Sequence, residues 1–138
     1  MNGQETIESI LGMKTIAVVG ISDSKERPSY AVASYLLENG YNVIPINPAL
    51  SEWRGIKAYP DLRAVPVKID VVDIFRKSEA VPGIVAQAIG ARAKAVWMQE
   101  GVKSAPAAEA AGKAGLLVVE DRCLMKESQR LRGSARLY

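Results

Sequence analysis

The stretch Thr15-Ile16-Ala17-Val18-Val19-Gly20-Ile21-Ser22 decides the fold, and a polar loop follows it as far as Ser29. A nearly continuous apolar run of this kind is typical of a strand whose sheet is covered by helices on both faces. Because Gly20 has no Cβ, backbone N–H groups beside it can approach a ligand closely. Pro28-Ser29 then opens a helical pattern at Tyr30. This order predicts the phosphate-binding corner of a nucleotide-binding fold, although the dinucleotide fingerprint has three glycines and only Gly20 is present here.

Length and composition indicate one globular domain over residues 1–138. The 138 residues are 49% hydrophobic and 24% charged, which is enough for a single filled core. No apolar run approaches the roughly 20 residues that span a bilayer, and the N-terminus lacks the pattern of a signal peptide. A single cysteine, Cys123, fits a reducing compartment. We therefore expect a cytoplasmic protein without a membrane partner.

The net charge of +3 comes from the C-terminal end of the chain. Residues 122–138 hold five basic residues against one acid, Glu127, and the remaining residues hold thirteen basic and fourteen acidic groups. We interpret 122–138 as a basic, solvated tail, with contact to an acidic partner as the alternative. Because no basic patch is interleaved with aromatic residues, we expect no binding to nucleic acid.

The chain alternates between helical and strand patterns. Helices are predicted over 5–11, 30–39, 79–89 and 106–114, and strands over 15–19, 42–47, 70–75, 95–98 and 116–119. Pro45 cannot donate to a ladder, so its strand is expected near an edge. Ser78 is expected to cap the third helix, and a loop is expected around Trp53 and Gly55. The pattern predicts an α/β fold: a doubly wound, mainly parallel five-stranded sheet with helices on both faces, in three α/β/α layers.

The carboxyl ends of these strands are the candidate ligand site, since ligands of doubly wound sheets lie where the strand order reverses. Polar residues and glycines follow the strands at Gly20-Ile21-Ser22, Asn47-Pro48, Phe75-Arg76-Lys77, Gln99-Glu100-Gly101-Val102 and Glu120-Asp121-Arg122-Cys123. Either they form a site or they are polar simply because loops meet water, and the residues alone leave both interpretations open.

The known catalytic patterns are missing from the sequence. Without histidine there is no imidazole base and no Ser-His triad, and no residues have metal-ligand spacing. Asp70 and Asp73 lie three apart, so on one strand they would point to opposite faces and could not act as an acid/base pair. A nicotinamide dinucleotide enzyme usually has an acid near Asn47 for the ribose, which disfavours a reductase. We expect no catalytic residues and no enzyme activity of the chain alone.

The motifs named above, together with Arg27-Pro28-Ser29, Ile44-Pro45-Ile46-Asn47-Pro48, Asp73-Ile74-Phe75-Arg76 and Trp97-Met98-Gln99-Glu100-Gly101-Val102, resemble the small stand-alone CoA-binding proteins. That family is similar to the CoA-binding domain of the succinyl-CoA synthetase α subunit. The resemblance covers roughly residues 5 to 131 in the family's order. The synthetase's phosphorylated histidine and second domain have no counterpart here, and Gln99-Glu100-Gly101 replaces the expected Gln-Leu-Gly or Gln-Ser-Gly.

The resemblance implies a Rossmann-like domain that binds coenzyme A or an acyl-CoA, with the pyrophosphate at Gly20 to Ser22 and the adenosine near Asn47-Pro48. The implied cofactor-binding residues are Gly20, Ile21, Ser22, Lys25, Arg27, Pro28, Ser29, Asn47, Pro48, Phe75, Arg76, Gln99 and Gly101. Arg27 and Arg76 are favoured as phosphate contacts, and Lys25 and Lys77 as solvated cations.

Non-catalytic binding is the favoured function. An NAD(P)-binding enzyme, or the CoA-binding subunit of an acyl-CoA synthetase completed by a partner chain, is the alternative, and a protein partner or a homo-oligomer remains open. Cys123 follows the last strand. A positive neighbour such as Arg122 would favour its thiolate, whereas apolar burial would raise its pKa. Because Leu124 and Met125 come next, we expect Cys123 to be structural, unreactive and not joined to CoA by a mixed disulfide.

Overall fold

The structure, a computed structural model, describes residues 2–136. Its helices are α1 (Gln4–Leu11), α2 (Pro28–Glu38), α3 (Val81–Gly90), α4 (Ala105–Lys113) and α5 (Leu124–Arg136). Its strands are β1 (Thr15–Val19), β2 (Asn42–Ile46), β3 (Glu52–Trp53), β4 (Ile56–Lys57), β5 (Val71–Ile74), β6 (Ala95–Met98) and β7 (Leu117–Val119). The four predicted helices and five predicted strands are confirmed within a few residues at each end.

Five of the strands form one parallel sheet in the order β2-β1-β5-β6-β7. From β1 the chain first moves to β2 on one side, and then crosses to β5, β6 and β7 on the other. The strand order therefore reverses between β1 and β5, and their carboxyl ends open a crevice between Gly20 and Phe75. The predicted Rossmann-like α/β architecture is confirmed.

Apolar side chains alternate between the two faces of the sheet and fill two cores. On one face, Ala17 and Val19 of β1 pack with buried residues of α3 and α4. On the other, Ile16 and Val18 pack with buried residues of α1, α2 and α5. Since both faces are covered, the central strands read as continuous apolar runs, which is why the sequence predicts them well.

The predicted loop around Trp53 is wrong in part, because the segment forms a two-stranded antiparallel hairpin. Arg54 and Gly55 join β3 to β4 with φ values of 49° and 79°, the left-handed geometry of a tight hairpin turn. Trp53 is buried, and its ring meets that of Tyr30 edge to face with 5.4 Å between centroids. The hairpin thereby packs Trp53 against the start of α2.

Ser78 does not cap α3 as predicted. A 3₁₀ turn, Ser78–Ala80, precedes the helix, and the Ser78 side chain makes no capping bond there. Its hydroxyl instead accepts a hydrogen bond of 3.0 Å from the backbone N–H of Lys103. Ser78 thus ties the end of β5 to the loop after β6.

The basic C-terminal segment is largely part of the folded domain rather than a solvated tail. Leu124 and Ser128 of α5 are buried, and the Ser128 hydroxyl lies 2.9 Å from that of Tyr35 in α2. The guanidinium of Arg130 binds Glu127 at 2.9 Å. The charges follow the outer side of an amphipathic helix, which the charge count alone concealed. Residues 137 and 138, the end of the predicted tail, lie outside the described residues.

Each edge of the sheet is bonded by another part of the chain. Tyr59 donates its N–H to the carbonyl of Pro45 and accepts from the N–H of Asn47, both at 2.9 Å. This confirms that Pro45 lies on an edge strand. Just beyond β7, the Asn2 side chain donates to the carbonyl of Glu120 at 2.6 Å and accepts from its N–H at 2.8 Å.

Asp70 and Asp73 have opposite environments and form no pair. Asp70 precedes β5 and accepts backbone N–H bonds from Thr15 and Lys14 at 3.0 and 3.2 Å. These bonds, that of Thr15 foremost, hold the pKa of Asp70 below its ordinary value. Asp73 is fully buried, and neither carboxylate oxygen has a hydrogen-bond partner among residues 2–136. Burial raises the pKa of Asp73 well above its ordinary value.

Candidate ligand-binding site

Gly20 stands at the centre of the crevice because no other residue fits there. Its φ is +86°, in the left-handed region. A Cβ at this position would lie 2.5 Å from the carbonyl oxygen of Phe75 and 2.8 Å from Cδ of Arg76. The loops after β1 and β5 therefore approach each other to backbone contact, as a closely bound nucleotide requires.

Two side chains hold the carbonyl groups of the loop after Gly20. Asn47 donates from Nδ2 to the carbonyl of Ile21 at 2.7 Å, and Trp53 donates from Nε1 to that of Ser22 at 3.0 Å. Ser29, at the start of α2, accepts from the Ser22 N–H at 3.0 Å. With these carbonyl oxygens bonded inside the protein, less negative charge faces an anion at the N-terminal end of α2.

The Asn47 amide is engaged at both ends, because its Oδ1 also accepts from the N–H of Ala49 at 2.8 Å. Asn47 lines the crevice, but its side chain positions the loop rather than offering a free donor or acceptor. This structural role, like that of Trp53, was missed in the sequence because it joins segments that are far apart along the chain.

One part of the crevice is a cavity of about 400 Å³ on the α2 side. Its lining residues are Gly20, Arg27, Pro28, Ser29, Val32, Phe75, Arg76, Lys77, Gln99, Glu100, Gly101, Val102 and Cys123. A second hollow of about 430 Å³ adjoins it and adds Asn47 and Pro48 to shared lining residues. The two hollows share Gly20, Arg27 and Arg76, so they are arms of one crevice.

Most predicted cofactor-binding residues come together at this crevice. Those that line it are Gly20, Arg27, Pro28, Ser29, Asn47, Pro48, Phe75, Arg76, Gln99 and Gly101. The other three do not: Ile21 is fully buried below the loop, Ser22 is half-buried, and Lys25 is exposed outside the cavity. Val32 also lines the crevice and was not predicted, although it lies one helical turn after Pro28. Glu100, Val102 and Cys123 line it too; the sequence places them at strand ends without assigning them to the cofactor. Lys77, which we predict to be a solvated cation, lines both hollows.

The charge of the crevice is positive. Arg27, Arg76 and Lys77 surround Gly20, and within residues 2–136 none of the three forms an ion pair with an acid. The loop before Arg27 holds two acids, Asp23 and Glu26, and the bond from the Ser24 hydroxyl to Glu26 lowers the pKa of Glu26. Three cations without counter-ions beside a helix start favour a polyanionic ligand.

Three contacts hold the opposite wall, between the loops after β6 and β7. The Oε1 atom of Gln99 accepts from the Leu124 N–H at 3.1 Å, and the Gly101 N–H donates to Asp121 at 2.7 Å. Glu100 and Lys126 form an ion pair at 3.0 Å. The bonds from Gln99 and Gly101 fix the backbone, while the exposed ion pair adds little energy.

Cys123 is buried as predicted, with 6% of its surface exposed, and it packs in the same apolar core as Val32 and Leu124. It also lines the 400 Å³ cavity. The sequence predicted the burial but not this opening. That the Cys123 thiol is unreactive stays a prediction.

The crevice offers binding groups rather than a set of catalytic groups. Within the described part of the chain, no three Cys, Asp or Glu side chains are grouped as ligands for a metal ion. Over the same residues, no helix is long and apolar enough to cross a membrane. The groups at hand are cations and an apolar wall, which together suit an anionic nucleotide with a less polar arm.

Comparison with known proteins gives the class of such a site. A sequence profile of the CoA binding domain matches residues 14–129, so the chain belongs to the CoA binding domain family. The predicted family resemblance is confirmed.

Particular relatives agree with this assignment. The chain is similar to the uncharacterized protein YneT of Bacillus subtilis, with 35% identity over 120 residues that cover 87% of this chain and 89% of YneT. A structure of a hypothetical protein from Pyrococcus horikoshii matches with a TM-score of 0.90 and 44% identity over 94% of this chain and 92% of that one. Part of the ADP-forming acetate–CoA ligase II of Archaeoglobus fulgidus is 28% identical over 76 residues, 54% of this chain but 11% of the ligase. The chain is therefore related to a segment of that enzyme class.

Proposed function

We propose that this chain binds coenzyme A or an acyl-CoA in the crevice between β1 and β5, without catalysing a reaction by itself. Membership of the CoA binding domain family supports the choice of ligand. The observation that carries the proposal is the contact of the two loops at Gly20, surrounded by Arg27, Arg76 and Lys77. Coenzyme A carries a pyrophosphate and a 3′-phosphate, about four negative charges near neutral pH.

In this proposal the ligand lies across the strand ends. The pyrophosphate lies at Gly20, where Arg27 is near and the carbonyls of Ile21 and Ser22 are bonded elsewhere. The adenosine and its 3′-phosphate occupy the arm at Pro48, with Arg76 and Lys77 as cations. The pantetheine arm enters the 400 Å³ cavity, whose lining includes Gln99 and Val102. The cations that both arms share thus lie beside the phosphates, and the more apolar arm receives the less polar half of the ligand.

The Asn47 amide, which is hydrogen-bonded at both ends, supports coenzyme A rather than NAD as the ligand. A dinucleotide enzyme places a carboxylate at this strand end to bind the ribose hydroxyls. Here the residue is an amide whose two ends are bonded to Ile21 and Ala49. No free carboxylate of that kind follows β2, so NAD loses a contact that coenzyme A does not need.

Calorimetric titration with CoA, acetyl-CoA, NAD and NADP side by side tests the proposal. We expect CoA or acetyl-CoA to bind with a stoichiometry of about one per chain and NAD to bind much more weakly. Tighter binding of NAD than of CoA would contradict the assignment. The absence of heat with both CoA compounds would also contradict it, provided that the protein is folded by circular dichroism.

A second candidate function is the CoA-binding subunit of an acyl-CoA synthetase completed by another chain. The similarity to acetate–CoA ligase II favours it, because the matched segment is only 11% of that protein. Turnover by the purified chain supplied with acetate, ATP and CoA would contradict a purely binding role. Turnover that needs an added chain would support the subunit role.

A further inference from the structure

The Cys123 thiol lies in the wall of the proposed coenzyme site. Only 6% of the residue is exposed, and it lines the same cavity as Gly20 and Arg27. Most of the side chain packs against the apolar core that includes Val32. Cys123 thus has little exposed surface and lies in the wall of the cavity, which is the route that we infer for a reagent to reach its sulfur.

A second group in the same wall points to a bound ligand. Gln99 is 96% buried and lines the cavity, with its Oε1 fixed by the N–H of Leu124. Its Nε2 has no hydrogen-bond acceptor among residues 2–136. Since Nε2 is not among the fully buried atoms without a partner, this donor is open to a hydrogen-bond acceptor in the cavity. The two amide carbonyls of a pantetheine arm are acceptors of this kind, and that arm ends in a thiol.

Cys123 stands at the start of a helix. It directly precedes α5, and its carbonyl accepts the first helical hydrogen bond from the Glu127 N–H at 3.0 Å. Helix N-termini favour negative groups, and thiol–disulfide exchange proceeds through the thiolate. Lys126 lies on the same turn, and its ammonium is paired with Glu100 at 3.0 Å.

We propose that Cys123 forms a mixed disulfide with coenzyme A by exchange with coenzyme A disulfide, the oxidised form of the coenzyme. This inference rests on the proposed binding of coenzyme A. The Cys123 thiolate attacks one sulfur of the coenzyme A disulfide, forming one S–S bond and breaking another. The released coenzyme A leaves as a thiolate and takes up the proton that Cys123 lost. Cys123 is oxidised, one half of the disulfide is reduced, and no further oxidant is needed.

The proposal replaces the expectation from sequence that Cys123 is inert. That expectation followed from the apolar residues after Cys123, whereas the cavity supplies a path that is specific to the coenzyme. A covalently held coenzyme would occupy the crevice until a reductant released it. The chain would then bind reversibly under reducing conditions and hold the coenzyme under oxidising ones.

The test uses the reduced full chain incubated with coenzyme A disulfide and measured as an intact mass without reductant. We expect one coenzyme A added per chain, removed by dithiothreitol, located on Cys123 by peptide mapping and absent from Cys123→Ser. Pantethine, which has the same disulfide and lacks the nucleotide, is the matched reagent. We expect it to react at least about tenfold more slowly, because only the nucleotide positions the disulfide at the thiol. Coenzyme A lacking its sulfur should slow the reaction.

The outcomes separate this inference from the proposed function. Equal rates with coenzyme A disulfide and pantethine would show an accessible thiol without recognition and would overturn the inference. No adduct, in a protein that binds CoA in the calorimeter, would overturn it and leave the proposed function intact. Adduct formation with no protection by the sulfur-free coenzyme would also overturn it. If calorimetry detects no CoA binding, the proposed function itself fails.

Discussion

Asp73 provides the sharpest test of the core, because a carboxyl group with no partner is buried in the central strand. Along β5 it shares a face with Val71, and its neighbours in register are Val18 and Trp97. Neither carboxylate oxygen has a partner within the described residues, and burial raises the pKa of Asp73 well above 3.8. The group is therefore neutral in the folded protein over a range of pH in which it is ionised in the unfolded chain.

The sign of the pH effect follows from this difference. Below pH 3.8 both states are protonated and Asp73 has no effect on the pH dependence. As pH rises above that value, the unfolded chain loses the proton and the folded chain keeps it, so the free energy of unfolding falls. The slope approaches about 1.4 kcal/mol per pH unit until the raised folded pKa is reached. Asp73→Asn removes the titrating group, so the wild type should lose stability relative to this variant as pH rises.

Asp73→Val tests the energetic cost separately. It replaces an unpaired polar group by an apolar one between Val18 and Trp97, and we expect it to raise the free energy of unfolding at pH 7 by about 1–3 kcal/mol. The assay is urea unfolding at half-unit steps from about pH 2 to 8, with extrapolation at constant m-value.

Asp70→Asn is the matched control with the opposite sign. The pKa of Asp70 is lowered by the N–H of Thr15, so its contribution is present above 3.8 and is lost as pH falls through the folded pKa. The difference between wild type and Asp70→Asn should therefore shrink at acid pH. A pH-independent difference between wild type and Asp73→Asn would refute the reasoning, as would a destabilised Asp73→Val that still unfolds in two states.

Three further predictions concern the crevice. Arg27→Ala should weaken the binding of CoA by about 1.5–3 kcal/mol in the calorimeter, the scale of a charge-assisted hydrogen bond. An unchanged dissociation constant would show that Arg27 is a solvated surface cation without a phosphate contact. Gly20→Ala should cost about 1–3 kcal/mol in urea unfolding, because its Cβ would meet Phe75 at 2.5 Å; full stability would contradict the close approach. Trp53→Phe keeps an aromatic ring but removes the donor to Ser22 and part of a buried side chain, so it should cost at least about 0.5–1.5 kcal/mol by the same assay, and no loss would mean that the bond contributes nothing.

The sheet was predictable from sequence because its strands are buried on both faces. The run from Thr15 to Val19 is apolar throughout, and Gly20 marks its end with a residue that only close backbone contact requires. Strands β3 and β4 were not predictable in the same way. At two residues each they carry no periodicity, and only the turn residues Arg54 and Gly55 give a local signal.

The site was predictable where it lies next to strand ends and not where distant segments meet. Gly20, Phe75 and Gln99 follow strands directly, so the rule for doubly wound sheets finds them. Trp53 contacts Ser22 from a hairpin 31 positions away, and that separation leaves no local pattern. The opening of Cys123 to the cavity likewise depends on α2 and α5 packing on one face.

The bonds at the two edges of the sheet have a consequence for assembly. The backbone of Tyr59 is hydrogen-bonded to Pro45 and Asn47 on the outer side of β2. The side chain of Asn2 is hydrogen-bonded to the backbone of Glu120, which directly follows β7. A second molecule that continued the sheet at β2 would have to displace the bonds of Tyr59, beside a proline that cannot donate. Any dimer of this chain is therefore expected to leave the β2 border of the sheet undisturbed.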